Sequence, residues 1–296
     1  MKKMEIGIQK LVDNRNETMN KILIILLFTI CPYISKGQIV KLSPEYGSQP
    51  AKLSKKTLKD TSNLECIYHY TITDKEQMRI KEYDAILEVG DSISKYESYN
   101  EYRLDSAVNT INNITNEEYT KLFAKYYSSF KYSILSDNKI MTYYGRIQFD
   151  NYTYKETVPV IDWQLTDSVK EICGYVCHQA NCDFRGRKWT AWYCDIPKSL
   201  GPWKLCGLPG LILEAESADK QHKFTAIQIR KSHAPIFTKE NNYFKTTREK
   251  YNKSLAEYMN NPGAALKNSP LAPKDINGKP MKTTKRRLFY NPLEKE

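Results

Sequence analysis

The chain has 296 residues, of which 41% are hydrophobic and 27% are charged, a composition typical of a globular protein rather than a disordered one. Its length is enough to bury a large core, so folding needs neither a metal nor disulfides. The formal net charge is +11, and the 22 tyrosines are the unusual count. Because tyrosine is enriched in strands and tolerates one solvated end, this count favours a β-rich protein with half-exposed sheet faces.

The N-terminal part has the pattern of a secretory signal peptide beginning at Met19. An apolar run, Ile22 to Ile30, follows a lysine, and small residues stand at Ser35 and Gly37. The run is shorter than the roughly 20 residues that span a bilayer. We therefore predict a signal peptide over 1–37 with a mis-assigned start before Met19, and cleavage near Gln38.

The predicted cleavage removes six basic and three acidic residues and leaves a net charge of +8. We expect an exported protein in the periplasm or at the outer membrane, with no transmembrane helix in the mature chain. Export argues against a nucleic-acid partner, and a solvated basic surface accounts for the charge. A lipid anchor at Cys31 is the alternative, but the large Ile30 before it does not suit a lipoprotein signal.

Alternating apolar and polar residues predict strands along most of the chain. Three strands are expected between Leu64 and Tyr102, the last two joined by a turn at Gly90 and Asp91. Helical spacing predicts helices over 116–130 and 247–261. Further strands are predicted over 139–158, 163–184, 188–196, 211–217 and 223–232.

These elements favour a mainly β, α+β fold: one curved antiparallel sheet or half-barrel with two or three helices over one face. We expect a single β-rich domain over 38–261. The remaining residues, 262–296, read as a basic, loosely packed tail that ends in YNPLE.

The mature chain keeps six cysteines, and an even number in an oxidising compartment predicts disulfides. They are Cys66, Cys173, Cys177, Cys182, Cys194 and Cys206. A hairpin turning at Arg185 and Gly186 would place Cys177 opposite Cys194, but the sequence leaves the pairing open. Cys173, Cys177, His178 and Cys182 offer a soft-metal site as an alternative. Because neighbours in a strand point to opposite faces, disulfides are the preferred interpretation.

The run GLPGLI comprises Gly207, Leu208, Pro209, Gly210, Leu211 and Ile212. Leu208 to Leu211 fits a type II turn, in which Pro209 sets φ at the second position and Gly210 supplies a positive φ at the third. We expect Gly207 to let the backbone pass close to another element. A structural corner is favoured over a phosphate loop, because no helix follows the glycines.

Residues 172–217 resemble the signature region of the GLPGLI family, a group of exported proteins from bacteria with an outer membrane. The matching parts are Tyr175-Val176-Cys177, Trp192-Tyr193, Asp195-Ile196-Pro197, Gly201-Pro202 and Gly207 to Ile212. The closing Tyr290 to Glu294 is similar to that family as well. The resemblance implies export and supplies no catalytic residues.

Aromatic and basic residues in the same stretch are candidates for a ligand-binding groove. They are Arg185, Arg187, Trp189, Trp192, Tyr193 and Trp203. Alternation places Trp189 and Tyr193 on one face and Trp192 on the other, so one side is expected to belong to the core.

We interpret the chain as an exported binding or accessory protein of the cell envelope, without catalysis or cofactor. It is expected to hold an apolar ligand or a peptide, with an envelope transporter or a secreted peptide as partner. A periplasmic metal-handling protein that uses the Cys/His cluster is one alternative. A hydrolase that uses Asp195 and Glu214 is the other.

Overall fold

The computed structural model describes residues 43–266 and 287–295, and the predicted signal peptide lies outside them. The helices are α1 (Pro44–Gly47), α2 (Tyr99–Asn109), α3 (Asn116–Lys125), α4 (Arg248–Asn260) and α5 (Pro262–Leu266). The strands are β1 (Lys55–Thr61), β2 (Leu64–Asp74), β3 (Arg79–Val89), β4 (Ser94–Ser98), β5 (Tyr132–Ser136), β6 (Ile140–Ile147), β7 (Asp150–Thr157), β8 (Gln164–Ile172), β9 (Tyr175–Phe184), β10 (Arg187–Cys194), β11 (Leu211–Ser217), β12 (His222–Lys231), β13 (Pro235–Glu240) and β14 (Tyr243–Lys245).

Twelve strands form one sheet in the order β14-β7-β6-β5-β4-β3-β2-β12-β11-β10-β9-β8. Neighbours are antiparallel except β14, which pairs with β7 in parallel. The sheet is curved and does not close on itself, and strands make up 48% of the structure against 18% for helices. The predicted class, a mainly β fold with a curved antiparallel sheet, is confirmed.

The main hydrophobic core lies on one face of this sheet, which we call the core face, and α4 packs over it through the buried Tyr251. Aromatic rings form much of this core. Tyr70 stacks on Phe224 with ring centroids 4.1 Å apart, and Tyr143 stacks on Tyr154 at 4.7 Å. Such ring pairs add about 0.5–1.5 kcal/mol beyond their buried area. Many of the tyrosines expected on half-exposed faces therefore belong to the interior.

The opposite face of β3 and β4 is covered by α2 and by a separate two-stranded ribbon of β1 and β13. The ammonium group of Lys95 on β4 lies 5.0 Å from the ring centroid of Phe237 on β13. Because both faces are covered, all five residues of β4 are buried. Lys95 is compensated there by an ion pair with Glu97 at 2.6 Å.

Two predicted elements differ from the structure near their ends. The strand predicted to run from Ser92 to Tyr102 stops at Ser98, where α2 begins. The helix predicted over 116–130 begins at Asn116 but ends at Lys125. Thr115 caps it: the Thr115 hydroxyl accepts from the Glu118 amide, and the Glu118 carboxylate accepts from the Thr115 amide. The described chain has five helices rather than two or three, and none is long and apolar enough to cross a membrane.

The corner at residues 207–212 exists, but the roles of its two glycines are the reverse of those predicted. Gly207 has a φ of 92°, with Trp163 Nε1 3.7 Å from the position of a Cβ, so it supplies the left-handed backbone. Gly210 does not have a positive φ, and the type II turn prediction is therefore wrong. A Cβ at Gly210 would overlap the carbonyl oxygen of Cys194. Gly210 is needed for close approach of two backbones.

We expect Gly210→Ala to destabilise the protein far more than Gly207→Ala. The first change forces the backbone at residue 210 away from that of Cys194 and should lower the free energy of unfolding by more than about 4 kcal/mol, as severe core disruptions do. The second places a Cβ in the left-handed region and should cost about 1–2 kcal/mol. Urea unfolding of both variants measures the difference. If Gly207→Ala destabilised the protein as much as Gly210→Ala or more, the roles assigned here to the two glycines would be contradicted.

The hairpin of β9 and β10 has the predicted register. It turns at Arg185 and Gly186 and pairs Cys177 with Cys194. The predicted disulfides, however, are not formed, since all six described cysteines are free. Several thiols are directed at backbone acceptors instead: Cys177 Sγ donates to the Tyr175 carbonyl at 3.4 Å, and Cys173 Sγ to the Ala226 carbonyl at 3.1 Å.

The described thiols differ in how far they are buried, and their reactivity should differ accordingly. Burial raises the pKa of Cys66 and Cys182 to about 12 and that of Cys177 to about 11. Burial raises the pKa of Cys173 as well, but this side chain is exposed, so a reagent can reach it. Because of this difference in access, maleimide should label Cys173 first in the folded chain from Gln38 onward and the buried thiols only after unfolding.

Mass spectrometry of the labelled chain checks this prediction, and Cys173→Ser should abolish the fast phase. A denatured, unreduced chain that takes up fewer than six labels would contradict the free-thiol state of the described cysteines.

Candidate functional site

The closing segment, residues 287–295, packs against the folded body, contrary to the loosely packed tail expected there. The Leu288 amide donates to the Met259 carbonyl at 2.8 Å, and the Lys295 amide donates to the Arg185 carbonyl at 3.0 Å. The segment therefore spans from the end of α4 to the β9–β10 turn. Residues 267–286, the rest of the predicted tail after α5, lie outside the described ranges.

Arg187, at the start of β10, holds the middle of the closing segment. Its side chain is buried, and its Nε donates to the Leu293 carbonyl at 3.0 Å. Nη2 donates to the Pro292 carbonyl at 2.6 Å and to Asn291 Oδ1 at 2.8 Å, while Nη1 donates to Asp219 at 2.6 Å. The planar fork of donors on a guanidinium suits such a set of acceptors, and an ammonium group does not.

Lys204 and Glu294 form the second attachment. The Lys204 side chain is fully buried, and its Nζ lies 2.6 Å from Glu294 and 2.5 Å from Glu156. Arg248 on α4 donates to the other oxygen of Glu294 at 2.8 Å. Burial opposes ionisation of Glu294, but the Lys204 charge and the hydrogen bonds from Lys204 and Arg248 outweigh it and hold the pKa of Glu294 below its usual value.

Removal of the buried cation should destabilise the fold strongly. Lys204→Met removes the one fully buried cation and leaves Glu156 and Glu294 with only Arg185 and Arg248 as charged partners, so we expect a loss of about 3–5 kcal/mol in urea unfolding. Adding Glu156→Gln and Glu294→Gln to Lys204→Met should recover part of the loss, because the carboxylates deprived of Lys204 are then neutral, and Arg185 and Arg248, which lose these partners, are partly exposed to water.

The matched control is Lys121→Ala. Lys121 also has a close carboxylate partner, Glu117 at 2.7 Å, but both side chains are largely exposed. This change should not measurably alter the free energy of unfolding. A Lys204→Met variant as stable as the control would contradict the assigned role of Lys204.

Beneath the closing segment lies a cavity of about 190 Å³ on the core face, between the segment, α4 and the sheet. Aromatic rings dominate its wall: Tyr70, Tyr83, Phe130, Tyr132, Tyr251 and Phe289. Polar and charged side chains also line it: Lys81, Ser129, Lys131, Arg146, Asn252, Asn291 and Glu294. An apolar hollow with a few converging polar groups is the usual form of a small-molecule site.

The six residues predicted to line a groove do not lie on one surface. Trp189 is buried in the core, 5.9 Å from Trp203 between ring centroids. Trp192 faces the other side of the sheet under Lys170, whose Nζ is 4.3 Å from the ring centroid, and Tyr193 packs against His178.

Three of the six nevertheless come close to the closing segment. Arg187 binds it directly, and Trp203 lines the cavity beneath it. The Arg185 carbonyl accepts from Lys295, and its guanidinium pairs with Glu156 at 2.7 Å. These three residues thus lie beside the aromatic cavity or at the charged attachment of the closing segment.

The alternative metal site is not assembled. Across residues 43–266 and 287–295, no group of three His, Cys, Asp or Glu side chains is placed to hold a metal ion. Cys177 and Cys182 are buried and Cys173 is exposed, so the stretch that looks like a cluster in sequence is divided between interior and surface. For the hydrolase alternative, Glu214 is paired with Lys170 at 2.6 Å, and Asp195 is exposed.

The sequence interpretation did not identify Glu156 and Lys204 as anchors of the closing segment, and it marked Asn291 and Glu294 only through the resemblance of Tyr290 to Glu294 to the GLPGLI family. Only Lys204 carried a local signal, since it is the one charge in the otherwise uncharged stretch from Ser199 to Leu213. A lone lysine in such a stretch indicates a buried cation that must find carboxylates elsewhere.

His222 at the start of β12 is another buried group beside this site. Its ring is fully inaccessible, and Nδ1 is 2.9 Å from the Tyr70 hydroxyl. Burial and the nearby charge of Arg187 lower the pKa of His222 to about 3, from an ordinary value of 6.5. The folded protein therefore keeps this imidazole neutral.

Stability should consequently fall as the pH decreases from 6.5 towards 3, because the unfolded chain binds a proton at His222 that the folded chain does not. His222→Gln should flatten the part of the pH dependence of urea unfolding that begins as the pH falls through 6.5. His233→Gln, at an exposed position, should keep the wild-type profile. Identical profiles for the two variants would contradict the prediction.

A second cleft of about 300 Å³ lies on the opposite face, bordered by α2, α3 and β13. Its lysines are engaged in ion pairs: Lys131 with Glu101 at 2.9 Å, and Lys239 with Asp105 at 2.9 Å. These charges satisfy one another, so the aromatic cavity is the stronger candidate for a ligand site.

No protein-family model and no curated protein matches the chain. Among solved structures, it is similar to PNGF-II in a P21 and in a C2 space group, with TM-scores of 0.44 and 0.43 and 12% sequence identity in both cases. The matches cover 67% of this chain but only 34% and 33% of those chains.

Proposed function

We propose that this chain is an exported, non-enzymatic binding protein of the cell envelope that holds a small apolar ligand beneath its closing segment. The single observation that carries the proposal is the aromatic cavity, covered by a segment that charged groups hold in place. Its export rests on the signal-peptide pattern and on the resemblance to the GLPGLI family. An envelope transporter that receives the ligand is the partner we propose.

The size of the cavity limits the ligand. An engineered apolar cavity of about 150 Å³ holds one benzene molecule, so 190 Å³ accommodates a single aromatic ring or a short alkyl chain. The ring walls offer stacking and edge contacts, and the polar groups of the lining provide hydrogen bonds for one hydroxyl or amine. The proposed ligand class is therefore a small aromatic or short aliphatic compound.

Native mass spectrometry of the chain from Gln38 onward, purified from the periplasm without detergent or chelator, tests whether a ligand is carried. Toluene and indole then serve as defined probes of the purified chain, with binding followed by native mass spectrometry and by the rise in melting temperature. We expect saturable binding of one molecule per chain.

A matched pair of α4 variants locates the site. Leu255→Trp fills the cavity, which Leu255 lines, and should reduce probe binding at least tenfold. Lys253→Trp adds the same side chain at an exposed position of the same helix and should leave binding unchanged. Equal binding by the two variants, or no binding by the wild-type chain, would overturn the proposal.

A further inference from the structure

The closing segment is held by the kinds of contact that recognise an extended peptide. Arg187 donates to two successive main-chain carbonyls, those of Pro292 and Leu293. The Asn291 side chain accepts from Arg187 and donates to the Thr73 carbonyl and to Gln221 Oε1, each at 2.8 Å. The folded body thus binds both the main chain at Pro292 and Leu293 and the side-chain amide of Asn291.

A dedicated carboxylate site completes this set of contacts. The two oxygens of Glu294 have separate partners: Oε1 accepts from Lys204 at 2.6 Å, and Oε2 accepts from Arg248 at 2.8 Å and from Asn252 at 3.3 Å. Two buried or half-buried cations and an amide converge on one carboxylate, so the groove discriminates a glutamate from a neutral residue at that position.

All of these anchors belong to the folded body. They come from β2, the loop before GLPGLI, β10 and α4, together with Gln221 just before β12. Residues 267–286 connect α5 to the closing segment along the chain. All of these anchors lie outside that stretch. A segment of the same chemistry from another polypeptide would meet the same groups in the same positions.

We propose that the groove formed by these anchors is a peptide-binding site for another polypeptide, which offers an extended segment containing Asn-Pro followed, two residues after the proline, by glutamate. The chain's own residues 291–294, Asn-Pro-Leu-Glu, occupy the site in cis. A tethered segment competes at an effective concentration in the millimolar range, so the covalent link protects the site from weak peptides. This site adjoins the aromatic cavity, whose wall includes Asn291 and Glu294, but it does not require that the cavity hold a ligand.

The experiment breaks the covalent link and retains every residue. A protease recognition sequence is inserted between residues 267 and 286, and the full chain is cut there after folding. A fluorescein-labelled synthetic peptide with the sequence of residues 287–296, RLFYNPLEKE, is then added. Fluorescence anisotropy measures its binding to the cut chain and to the intact chain.

We expect the cut chain to bind the labelled peptide saturably and in competition with unlabelled peptide. The intact chain should bind at least tenfold more weakly, because its tethered segment competes. A peptide with Glu294→Gln should bind at least tenfold more weakly to the cut chain, since Lys204 and Arg248 are left facing a neutral group. Lys295→Ala is the comparison: it removes only the solvent-exposed pair with Asp219 and keeps the main-chain bond to the Arg185 carbonyl, so it should weaken binding by less than about threefold.

The circular dichroism spectrum and the melting temperature of the cut chain report whether it remains folded. A folded cut chain that does not take up the labelled peptide would overturn the proposal, because the segment would then be a permanent part of the core. Equal binding of the Glu294→Gln and Lys295→Ala peptides would overturn it as well. Neither outcome changes the toluene and indole measurements on the intact chain, so the two proposals fail independently.

Discussion

The fully buried ammonium group of Lys204 is the constraint on which much of this structure depends. Moving such a group out of water costs several kcal/mol unless opposite charges lie beside it. Glu156 on β7 and Glu294 in the closing segment supply those charges at 2.5 and 2.6 Å. Three distant parts of the chain must therefore meet at one point, which fixes the loop before β11 against β7 and draws the C-terminal residues over the core.

The glycine-rich corner holds the loop that carries Lys204. Gly210 brings that loop against the backbone of Cys194, and Gly201 packs on the side chain of Ile212. The amide of Ile212 donates to the Leu200 carbonyl at 2.9 Å, while its carbonyl accepts from the Tyr68 hydroxyl at 2.7 Å. The corner is thus tied to the core by backbone contact, which gives a physical reason for glycine at positions where a larger residue would separate the strands.

The manner in which the closing segment is held bears on both proposals. Its main attachments are ion pairs and hydrogen bonds to Arg187, Lys204 and Arg248. A carboxylate leaving this site recovers full hydration in water, so buried ion pairs give less net stability than their short distances imply. An attachment of this kind suits a segment that covers a cavity and can be exchanged, whereas a purely apolar attachment would favour permanent burial.

The sequence by itself determined much of the strand pattern, the turns at Gly90-Asp91 and Arg185-Gly186, and the register of β9 with β10, because alternation and turn residues report which face of a strand is buried. It also marked Arg185, Arg187 and Trp203, although as a surface groove. It did not determine α2, whose residues 99–109 follow directly from a buried strand, or the pairing of β1 with β13. Only the tertiary structure decided that Glu156, Lys204 and Glu294 form one site and that Gly210 rather than Gly207 makes the close backbone contact. Such pairings depend on long-range packing, and a local pattern of residues carries no information about which distant charge a buried lysine will meet.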